Sequence, residues 1–360
     1  MMKFLSCLLS AVLVFPGSHA LALAAPAEVI DPLERPALQA RDFDQSMLTA
    51  IARAGERLIV AGERGLVLLS DDDGRTWRQV PAPVSVTITA LAFPTPNHGW
   101  AVGHGGVVLH TVDAGEHWDV QLDGRRGAEL VLDSVRADID PGDGDSSKVL
   151  VAAQRLVEEG ADKPLLALAF ANAQRGIVVG AYGLAFATHD GGRSWRSIGA
   201  AIPNPRGMHL YAAAHDGERW YVAGEQGFAA RSDDREQSFH ALETPYRGSF
   251  FAIDVRGEEV LLAGLRGNAV RSADGGESFA KVPVPVPASL LSTARLADGR
   301  LLAVGQGGQL MQAGNAGFVS LPLPPGPPLN ALVEAQDGAL IGASWRGPVR
   351  IESIQWERAQ

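Results

Sequence analysis

The sequence predicts an all-β fold, a seven-bladed β-propeller with Asp-box turns and one helical-hairpin insertion. Three observations favour it. The 360 residues include 41 glycines and 22 prolines, which is typical of many short strands joined by turns. An apolar strand followed by a Gly-x-x-Gly turn recurs about every 40 residues, the length of one propeller blade. A second motif, Ser/Thr-x-Asp-x-Gly-x-x-Trp/Phe, follows most of these turns at a fixed distance.

The Gly-x-x-Gly turns define the repeat. Six copies begin at Gly62, Gly103, Gly180, Gly224, Gly264 and Gly305. An imperfect seventh copy is Ser344-Trp345-Arg346-Gly347. Residues 25–360 are therefore expected to form one propeller whose blades each contain four short strands, with the first strand innermost.

The second motif is the Asp-box, and each of its positions has a structural explanation. The carboxylate accepts backbone N–H bonds, glycine adopts the positive φ of the turn, and the ring packs between neighbouring sheets. The copy from Ser232 to Phe239 is a variant with Glu236 in place of glycine. The expected structural residues are Asp72, Gly74, Trp77, Asp113, Gly115, Trp118, Asp190, Gly192, Trp195, Asp234, Phe239, Asp274, Gly276 and Phe279. No copy has the acidic series of a calcium loop, so we expect no metal there.

Ring closure requires a fourth strand for the seventh unit. The seventh unit, Leu329 to Trp356, lacks an Asp-box and ends without a clear fourth strand. We expect the N-terminal segment, within Leu33 to Asp44, to add that outer strand, because a closed ring leaves no exposed sheet edge.

An insertion of about 125–163 separates blades two and three. Apolar residues recur at helical spacing at Ala128, Leu132, Val135 and Ile139. A turn-forming run then precedes a second helix, from a cap at Asp145 or Ser146 to Gly160. The pattern predicts a helical hairpin on the face that carries the Gly-x-x-Gly turns. It is either a tolerated insertion or a partner-binding element, since long loops often carry function.

The N-terminus has the features of a secretory signal. A basic start, Met1 to Lys3, precedes an apolar run, Phe4 to Phe15, and small residues suited to cleavage end by residue 24. We expect residues 1–24 to be cleaved and the mature chain to be periplasmic, with secretion as the alternative. The run is shorter than the roughly 20 residues that cross a bilayer, so no membrane insertion is expected after cleavage. Cys7 is the only cysteine, so the mature chain has no thiol chemistry.

Charge and motif content exclude several classes of function. The net charge of −10 argues against nucleic acid or anionic lipid as the general partner. The histidines are scattered without a His-Glu-x-x-His motif, which disfavours a zinc hydrolase. The Gly-x-x-Gly turns lie in β-hairpins rather than before helices, which disfavours a phosphate site. We therefore expect no metal and no cofactor.

Candidate binding residues gather on the face formed by the Gly-x-x-Gly turns and the connections between blades. Arginine suits carboxylate recognition through its planar fork, and arginine and aromatic residues are common in protein interfaces. The alternative is that these arginines are solvated or pair with Glu63 and Glu225. The candidate binding face comprises Arg64, His104, Tyr182, Arg206, Gln226, Tyr246, Arg247, Arg266, Trp345 and Arg346.

With repeats such as AVGHGGVVLHTVDAGEHW (Ala101 to Trp118), nearly the whole mature chain resembles the bacterial and plastid photosystem II stability/assembly factor family. The resemblance implies a seven-bladed Asp-box propeller with an arginine patch on one face. Members in non-photosynthetic bacteria look like periplasmic accessory proteins, beside RND-type exporters. It implies a non-catalytic scaffold that binds a membrane protein or its extramembrane domain. The helical hairpin and the degenerate sixth and seventh Asp-boxes depart from the family pattern, and the oligomeric state stays open.

The alternative function is a sialidase-like glycoside hydrolase, because Asp-boxes also occur in such enzymes. These enzymes hold the substrate carboxylate with three arginines and use a tyrosine activated by a glutamate, together with an acid/base aspartate. Arg64, Arg266, Arg346, Tyr182 and Glu225 could supply most of that set. The Phe/Tyr-Arg-Ile-Pro motif is missing and no aspartate is clearly placed, so we expect no enzyme activity.

Overall fold

Each repeat of the sequence forms one antiparallel sheet. The protein's structure is a computed structural model that describes residues 30–138 and 144–352, so the expected signal at residues 1–24 lies outside the described residues. Seven sheets follow one another along the chain, within the compact unit that begins at Pro32. The first strands of neighbouring blades contact each other, and the first strand of blade seven contacts that of blade one. The predicted seven-bladed propeller is confirmed.

The strands of the first four blades are as follows. Blade one has β1 (Leu48–Ala54), β2 (Arg57–Gly62), β3 (Val67–Ser70) and β4 (Arg78–Val80). Blade two has β5 (Ile88–Ala92), β6 (Gly99–Gly103), β7 (Val108–Thr111) and β8 (Asp119–Leu122). Blade three has β9 (Leu165–Phe170), β10 (Gly176–Gly180), β11 (Ala185–Thr188) and β12 (Arg196–Ser197). Blade four has β13 (Leu210–His215), β14 (Trp220–Gly224), β15 (Ala229–Ser232) and β16 (His240–Ala241).

The last three blades complete the ring. Blade five has β17 (Phe250–Arg256), β18 (Glu259–Gly264), β19 (Asn268–Ser272) and β20 (Ala280–Val282). Blade six has β21 (Leu290–Arg295), β22 (Leu301–Gly305), β23 (Gln309–Ala313) and β24 (Phe318–Leu321). Blade seven has β25 (Leu329–Glu334), β26 (Leu340–Ser344) and β27 (Pro348–Ile351).

The prediction that Leu33 to Asp44 adds an outer strand to blade seven is wrong. Among the described residues, blade seven has three strands, and Phe43–Gln45 forms a 3₁₀ turn. The N-terminal segment instead binds the connection after blade one, where the Ala37 amide donates to the Ala82 carbonyl (2.9 Å). The ring closes through contacts between blade seven and the start of blade one. The Gly347 amide donates to the Ser46 carbonyl (2.9 Å), Asn330 Nδ2 donates to the Leu48 carbonyl (2.7 Å), and apolar residues of the two blades pack together.

The hydrophobic core consists of seven clusters, one in each seam between neighbouring blades. The Asp-box rings occupy these seams. Trp118 of blade two, for example, packs with Ile59 and Leu69 of blade one. Because each ring packs against the preceding blade, apolar burial holds neighbouring sheets together. Side-chain hydrogen bonds between innermost strands add to it, such as that from the Thr89 hydroxyl to the Leu165 carbonyl (2.7 Å).

The Asp-box turn is a dense local network. In blade one, Asp72 Oδ1 accepts the Thr76 amide (2.9 Å) and Asp72 Oδ2 accepts the Thr76 hydroxyl (2.6 Å). The Ser70 hydroxyl donates to Asp72 and accepts the Gly74 amide (2.9 Å). In the variant copy, Glu236 takes the glycine position with a φ of 56° and is fully buried. Its carboxylate contacts His189 of blade three, so this residue links two blades instead of only closing a turn.

The Gly-x-x-Gly turns join each blade to the chain entering it. In all seven blades, the amide of the second turn residue donates to the carbonyl that precedes the innermost strand, over 2.7 to 3.1 Å. A Cβ on the first glycine would lie 2.0 to 2.3 Å from that same carbonyl oxygen at Gly62, Gly103, Gly180, Gly224 and Gly264. In these five blades glycine is therefore required, because a side chain would exclude the carbonyl that the turn binds.

The insertion forms α1 (Gly124–Asp138) and α2 (Gly144–Glu159), so the predicted helical hairpin is confirmed. The predicted helical position Ile139 and the side chains of the predicted cap residues Asp145 and Ser146 lie outside what the structure describes. Helix α1 contacts both the turn of blade two, His104–Gly106, and the outer strand β12 of blade three. The hairpin thus covers the exposed edge of blade three and reaches the face that carries the turns.

We predict that Gly224→Ala lowers the free energy of unfolding by about 3 kcal/mol, because its Cβ would meet the His209 carbonyl oxygen at 2.0 Å. Urea denaturation followed by circular dichroism measures the change. Gly326→Ala is the matched control, since the only neighbour of its Cβ is the Pro324 oxygen at 3.9 Å. Equal stabilities of the two variants would contradict the packing explanation.

We also predict that the Asp-boxes make the protein labile to acid. Hydrogen bonds, first from the Thr76 side chain and then from its amide, lower the pKa of Asp72 to about 2, and Ser238 does the same for Asp234. A folded-state pKa below the unfolded value near 4 stabilises the fold above pH 4, and this contribution is lost as the pH falls toward 2.

The test is the free energy of unfolding measured between pH 5 and pH 2 by urea titration. Asp72→Asn/Asp234→Asn is expected to be less stable at neutral pH and to lose less stability on acidification. The exposed Glu56→Gln is the control and should keep the wild-type slope. A double variant with an unchanged slope would show that these carboxylates do not govern acid stability.

The candidate binding face

The Gly-x-x-Gly turns and the connections between blades form one surface, called here the connection face. The candidate residues on it are exposed except Tyr246, which is half-buried. The Tyr246 hydroxyl donates to the Leu265 carbonyl (2.9 Å), so the connection after blade four is fixed to the turn of blade five. The turns and the connections therefore hold each other in place, and the side chains project from a rigid base.

Four candidates sit in a strained backbone conformation. Arg64, Tyr182, Gln226 and Arg266 are the third residues of their turns and have φ between 54° and 56°. A left-handed conformation costs a residue with a side chain roughly 1 to 2 kcal/mol. Arg346 is also the third residue of its turn, but its φ is not positive. The seventh turn is not a 3₁₀ turn, and there the left-handed residue is Gly347, with φ of 67°.

Glu63 and Glu225 are already engaged. Glu63 Oε1 accepts the Met47 amide (3.1 Å), just before β1. Glu225 Oε2 accepts the His209 amide (2.9 Å), just before β13. The two glutamates therefore cap the innermost strands of their blades, and no hydrogen bond or ion pair within the described residues joins them to the arginines of the connection face. The alternative in which they pair with those arginines is wrong for this part of the chain.

The arginines on the two faces of the propeller are used differently. On the Asp-box face they join neighbouring blades, as in the ion pairs Arg57–Glu116 (2.8 Å), Arg75–Asp337 (2.5 Å), Arg219–Glu258 (2.9 Å) and Arg231–Glu277 (2.8 Å).

On the connection face, Arg206 donates to the neutral Gln226 (2.7 Å). Within residues 30–138 and 144–352, no acidic side chain is paired with Arg64, Arg206, Arg247, Arg266 or Arg346. Five exposed cations are thus without an acidic partner in this part of the chain, on a protein whose net charge is −10.

An aromatic cluster missing from the sequence-based candidates lies beside these arginines. The rings of Tyr182 and His209 are 4.7 Å apart, and those of Tyr211 and Phe251 are 5.3 Å apart. Tyr211 and Phe251 are the bulged residues of the innermost strands of blades four and five. A bulge at this position recurs in every blade, and it becomes visible only once the strands pair.

Trp345 and Arg346 line a shallow depression of about 470 Å³ with Gly326, Pro327 and Pro328. Trp345 is half exposed, and its indole N–H donates to Asn330 Oδ1 (3.1 Å). The indole is thereby fixed by one hydrogen bond next to Arg346, and an exposed tryptophan beside an arginine is typical of protein interfaces.

The family model described as Photosynthesis system II assembly factor YCF48 matches residues 71–142 and 147–310, more than half of the chain. The chain belongs to this family. The resemblance predicted from the sequence is therefore confirmed, and the family supports an assembly or binding role.

Individual relatives are more distant. A photosystem II stability/assembly factor, the chloroplastic HCF136 of Cyanidioschyzon merolae (strain NIES-3377 / 10D), is 46% identical over 48 residues, 13% of this chain and 11% of that protein. The chain therefore matches about a tenth of that relative's length.

Solved structures share the fold. YCF48 bound to D1 peptide has a TM-score of 0.59 at 13% identity, over 91% of this chain and 99% of that chain. YCF48 from Cyanidioschyzon merolae has a TM-score of 0.59 at 15% identity, over 86% and 96%. The RRP9 WD40 repeats have a TM-score of 0.60 at 12% identity, over 86% and 89%. Identities this low show the propeller fold alone.

The structure also tests the candidate residues of the sialidase-like alternative. The tyrosine beside a glutamate is Tyr211, not Tyr182: its hydroxyl lies 3.2 Å from Glu225 Oε1. Burial, and then the charge of Glu225, raise the pKa of Tyr211 to about 12, which keeps the phenol protonated at neutral pH. An activated tyrosine nucleophile needs the opposite shift or a base, and Glu225 faces Tyr211 with Oε1 while its Oε2 accepts the His209 amide.

Two further features of the described residues concern ligands and membranes. They contain no group of three or more histidine, cysteine or acidic side chains that could hold a metal ion. None of the helices in this part of the chain is both long enough and apolar enough to cross a bilayer.

We predict that Arg64→Gly and Gln226→Gly change the free energy of unfolding by less than about 1 kcal/mol each, because the relief of left-handed strain offsets the flexibility of glycine. Gly105 already occupies this position in blade two. The neighbouring change Gly65→Ala is the contrast: its Cβ would lie 2.1 Å from the Val84 carbonyl oxygen, so a loss of several kcal/mol is expected. Urea denaturation measures all three. A large loss in Arg64→Gly would show that this side chain stabilises the fold.

Proposed function

We propose that this protein is a non-catalytic scaffold, an assembly or accessory factor whose connection face docks onto a membrane protein or its extramembrane domain. The observation that carries the proposal is the set of five exposed arginines without an acidic partner among the described residues. On the opposite face, arginines join blades through ion pairs. In this part of the chain, the five arginines of the connection face join no blades in this way, so their charges are available to a partner.

Arginine chemistry favours an acidic segment as the ligand. The guanidinium plane binds a carboxylate through two parallel hydrogen bonds, and it stacks on aromatic rings. Tyr182, Tyr246 and Trp345 lie on the same face and supply amphipathic rings of the kind that dominate interface energies. A relative, YCF48, has been solved with a D1 peptide bound. That complex supports binding of a protein segment here, without naming it.

The compartment and the partner class are part of the proposal. A basic start followed by an apolar run of signal-peptide length supports export to the periplasm. There the accessible partners include the extramembrane domains of inner-membrane complexes. RND-type exporters are the class that the family resemblance favours.

The decisive experiment is affinity purification of the tagged protein from crosslinked membranes of its native host. The variant Arg64→Glu/Arg266→Glu/Arg346→Glu is expected to lose the membrane complex at least tenfold, because each reversal places like charges against the partner. The matched control is Arg193→Glu/Arg235→Glu/Arg256→Glu, which makes the same charge change at exposed residues outside the candidate set.

Circular dichroism must show that both triple variants are folded. Equal recovery of the complex by the connection-face variant and the control would contradict the proposal. Turnover of a fluorogenic sialoside that is lost in Tyr211→Phe would instead favour the glycoside hydrolase alternative.

A further inference from the structure

The helical hairpin and blade three enclose a groove of about 740 Å³. Its helical wall carries Val131 and Val135 of α1 with Val149 and Leu156 of α2, and its floor includes Leu184 of blade three. The apolar wall residues of α2 follow helical spacing, which puts them on one side of the helix.

Helix α2 is mostly uncovered along this groove. Within residues 147–159, Ala153 is the one buried side chain, and Val149 is 53% exposed. Exposed valines on a helix that packs against α1 leave an apolar surface in contact with water. Covering that surface with an apolar segment is favourable by roughly 25 cal/mol per Å².

The charged residues at the rim neutralise one another. Glu159 accepts hydrogen bonds from Arg155 (2.6 Å) and Lys163 (2.7 Å), and Lys163 also donates to Asp162 (2.5 Å). Asn204, on the opposite rim, is bonded through both side-chain atoms to the backbone of Met208. The groove therefore presents little free charge, and its chemistry fits an uncharged apolar ligand.

The groove is continuous with the connection face. Asp162, Lys163 and Tyr182 line both the groove and a second depression of about 370 Å³ that contains His209 and Tyr211. Lys163 lies over the Tyr182 ring, 5.4 Å from its centre. The two depressions end at the loop that carries Arg206. Gly207 of that loop lies against Tyr182, since a Cβ added to Gly207 would be 3.5 Å from the Tyr182 carbonyl oxygen. The groove and the second depression together form an elongated surface, which suits an extended peptide better than a compact small molecule.

We propose that the groove between α1, α2 and blade three binds an apolar peptide segment of the docked partner, next to the acidic segment that contacts the arginines. This inference rests on the proposed function and specifies its ligand: an extended peptide with an apolar half in the groove and an acidic half on the connection face. Tyr182 is the junction of the two subsites.

Fluorescence anisotropy tests it with two labelled synthetic peptides. The composite peptide has Leu, Val and Ala in one half and Asp and Glu in the other, made in both orders; the second peptide has the acidic half alone. Wild type is expected to bind one order of the composite about tenfold more tightly than the acidic peptide, the gain from burying one or two aliphatic side chains.

Two valines on α2 give a matched pair of variants. Val149→Glu places a charge in the groove and should remove the tenfold gain while leaving the acidic peptide's affinity unchanged. Val151→Glu makes the same change at a 62% exposed valine outside the groove and should retain the gain. Equal affinity of wild type for both peptides, or equal effects of the two variants, would overturn the groove inference.

The two proposals fail in different ways. If the acidic peptide binds and Arg64→Gly/Arg266→Gly abolishes its binding, the proposal that the connection face binds an acidic segment is supported, regardless of the result for the groove. If neither peptide binds wild type, the arginine-face proposal fails and the groove inference fails with it. Sedimentation velocity without peptide gives the remaining outcome: a dimer dispersed by Val149→Glu would show that a second copy fills the groove, which overturns the peptide assignment.

Discussion

One hydrogen bond, repeated in all seven blades, connects the fold to its candidate function. The amide of the second turn residue binds the carbonyl that precedes the innermost strand, and in the first five blades the glycine before it leaves room for that carbonyl. The bond fixes where the chain enters each blade. In blades one, three, four and five the next turn residue is left-handed, and these residues are Arg64, Tyr182, Gln226 and Arg266. The interaction that builds the blade therefore also positions the candidate binding side chains.

Charged residues on the two faces of the propeller make different interactions. Ion pairs between blades and the Asp-box networks occupy carboxylates of one face. On the other face, the glutamates nearest the arginines cap the innermost strands instead. Exposed surface pairs contribute little to stability, so leaving five arginines without acidic partners costs the fold little. Their presence on an acidic protein is explained better by recognition than by folding.

Three positions depart from the repeat, and each makes contacts that the standard turn does not make. Glu236 replaces a glycine and, fully buried, contacts His189 of the neighbouring blade. Blade seven has Ser344 where the other blades have glycine, and the Ser344 hydroxyl bonds the Gly347 carbonyl to close a different turn (2.7 Å). The hairpin is the largest departure. It covers the edge of blade three and adds an apolar groove to a face otherwise marked by charge.

The sequence by itself determined the blade number, the turn chemistry and the helical hairpin, because each depends on residues close together in the chain. Gly-x-x-Gly, the Asp-box and helical spacing are local patterns. Only the tertiary structure decided which arginines are paired, that Glu63 and Glu225 serve the backbone, that Tyr211 and His209 join Tyr182, and that Leu33 to Asp44 binds blade one rather than completing blade seven. These outcomes depend on distances between blades, and the blades meet only after the ring closes, so no spacing along the chain encodes them.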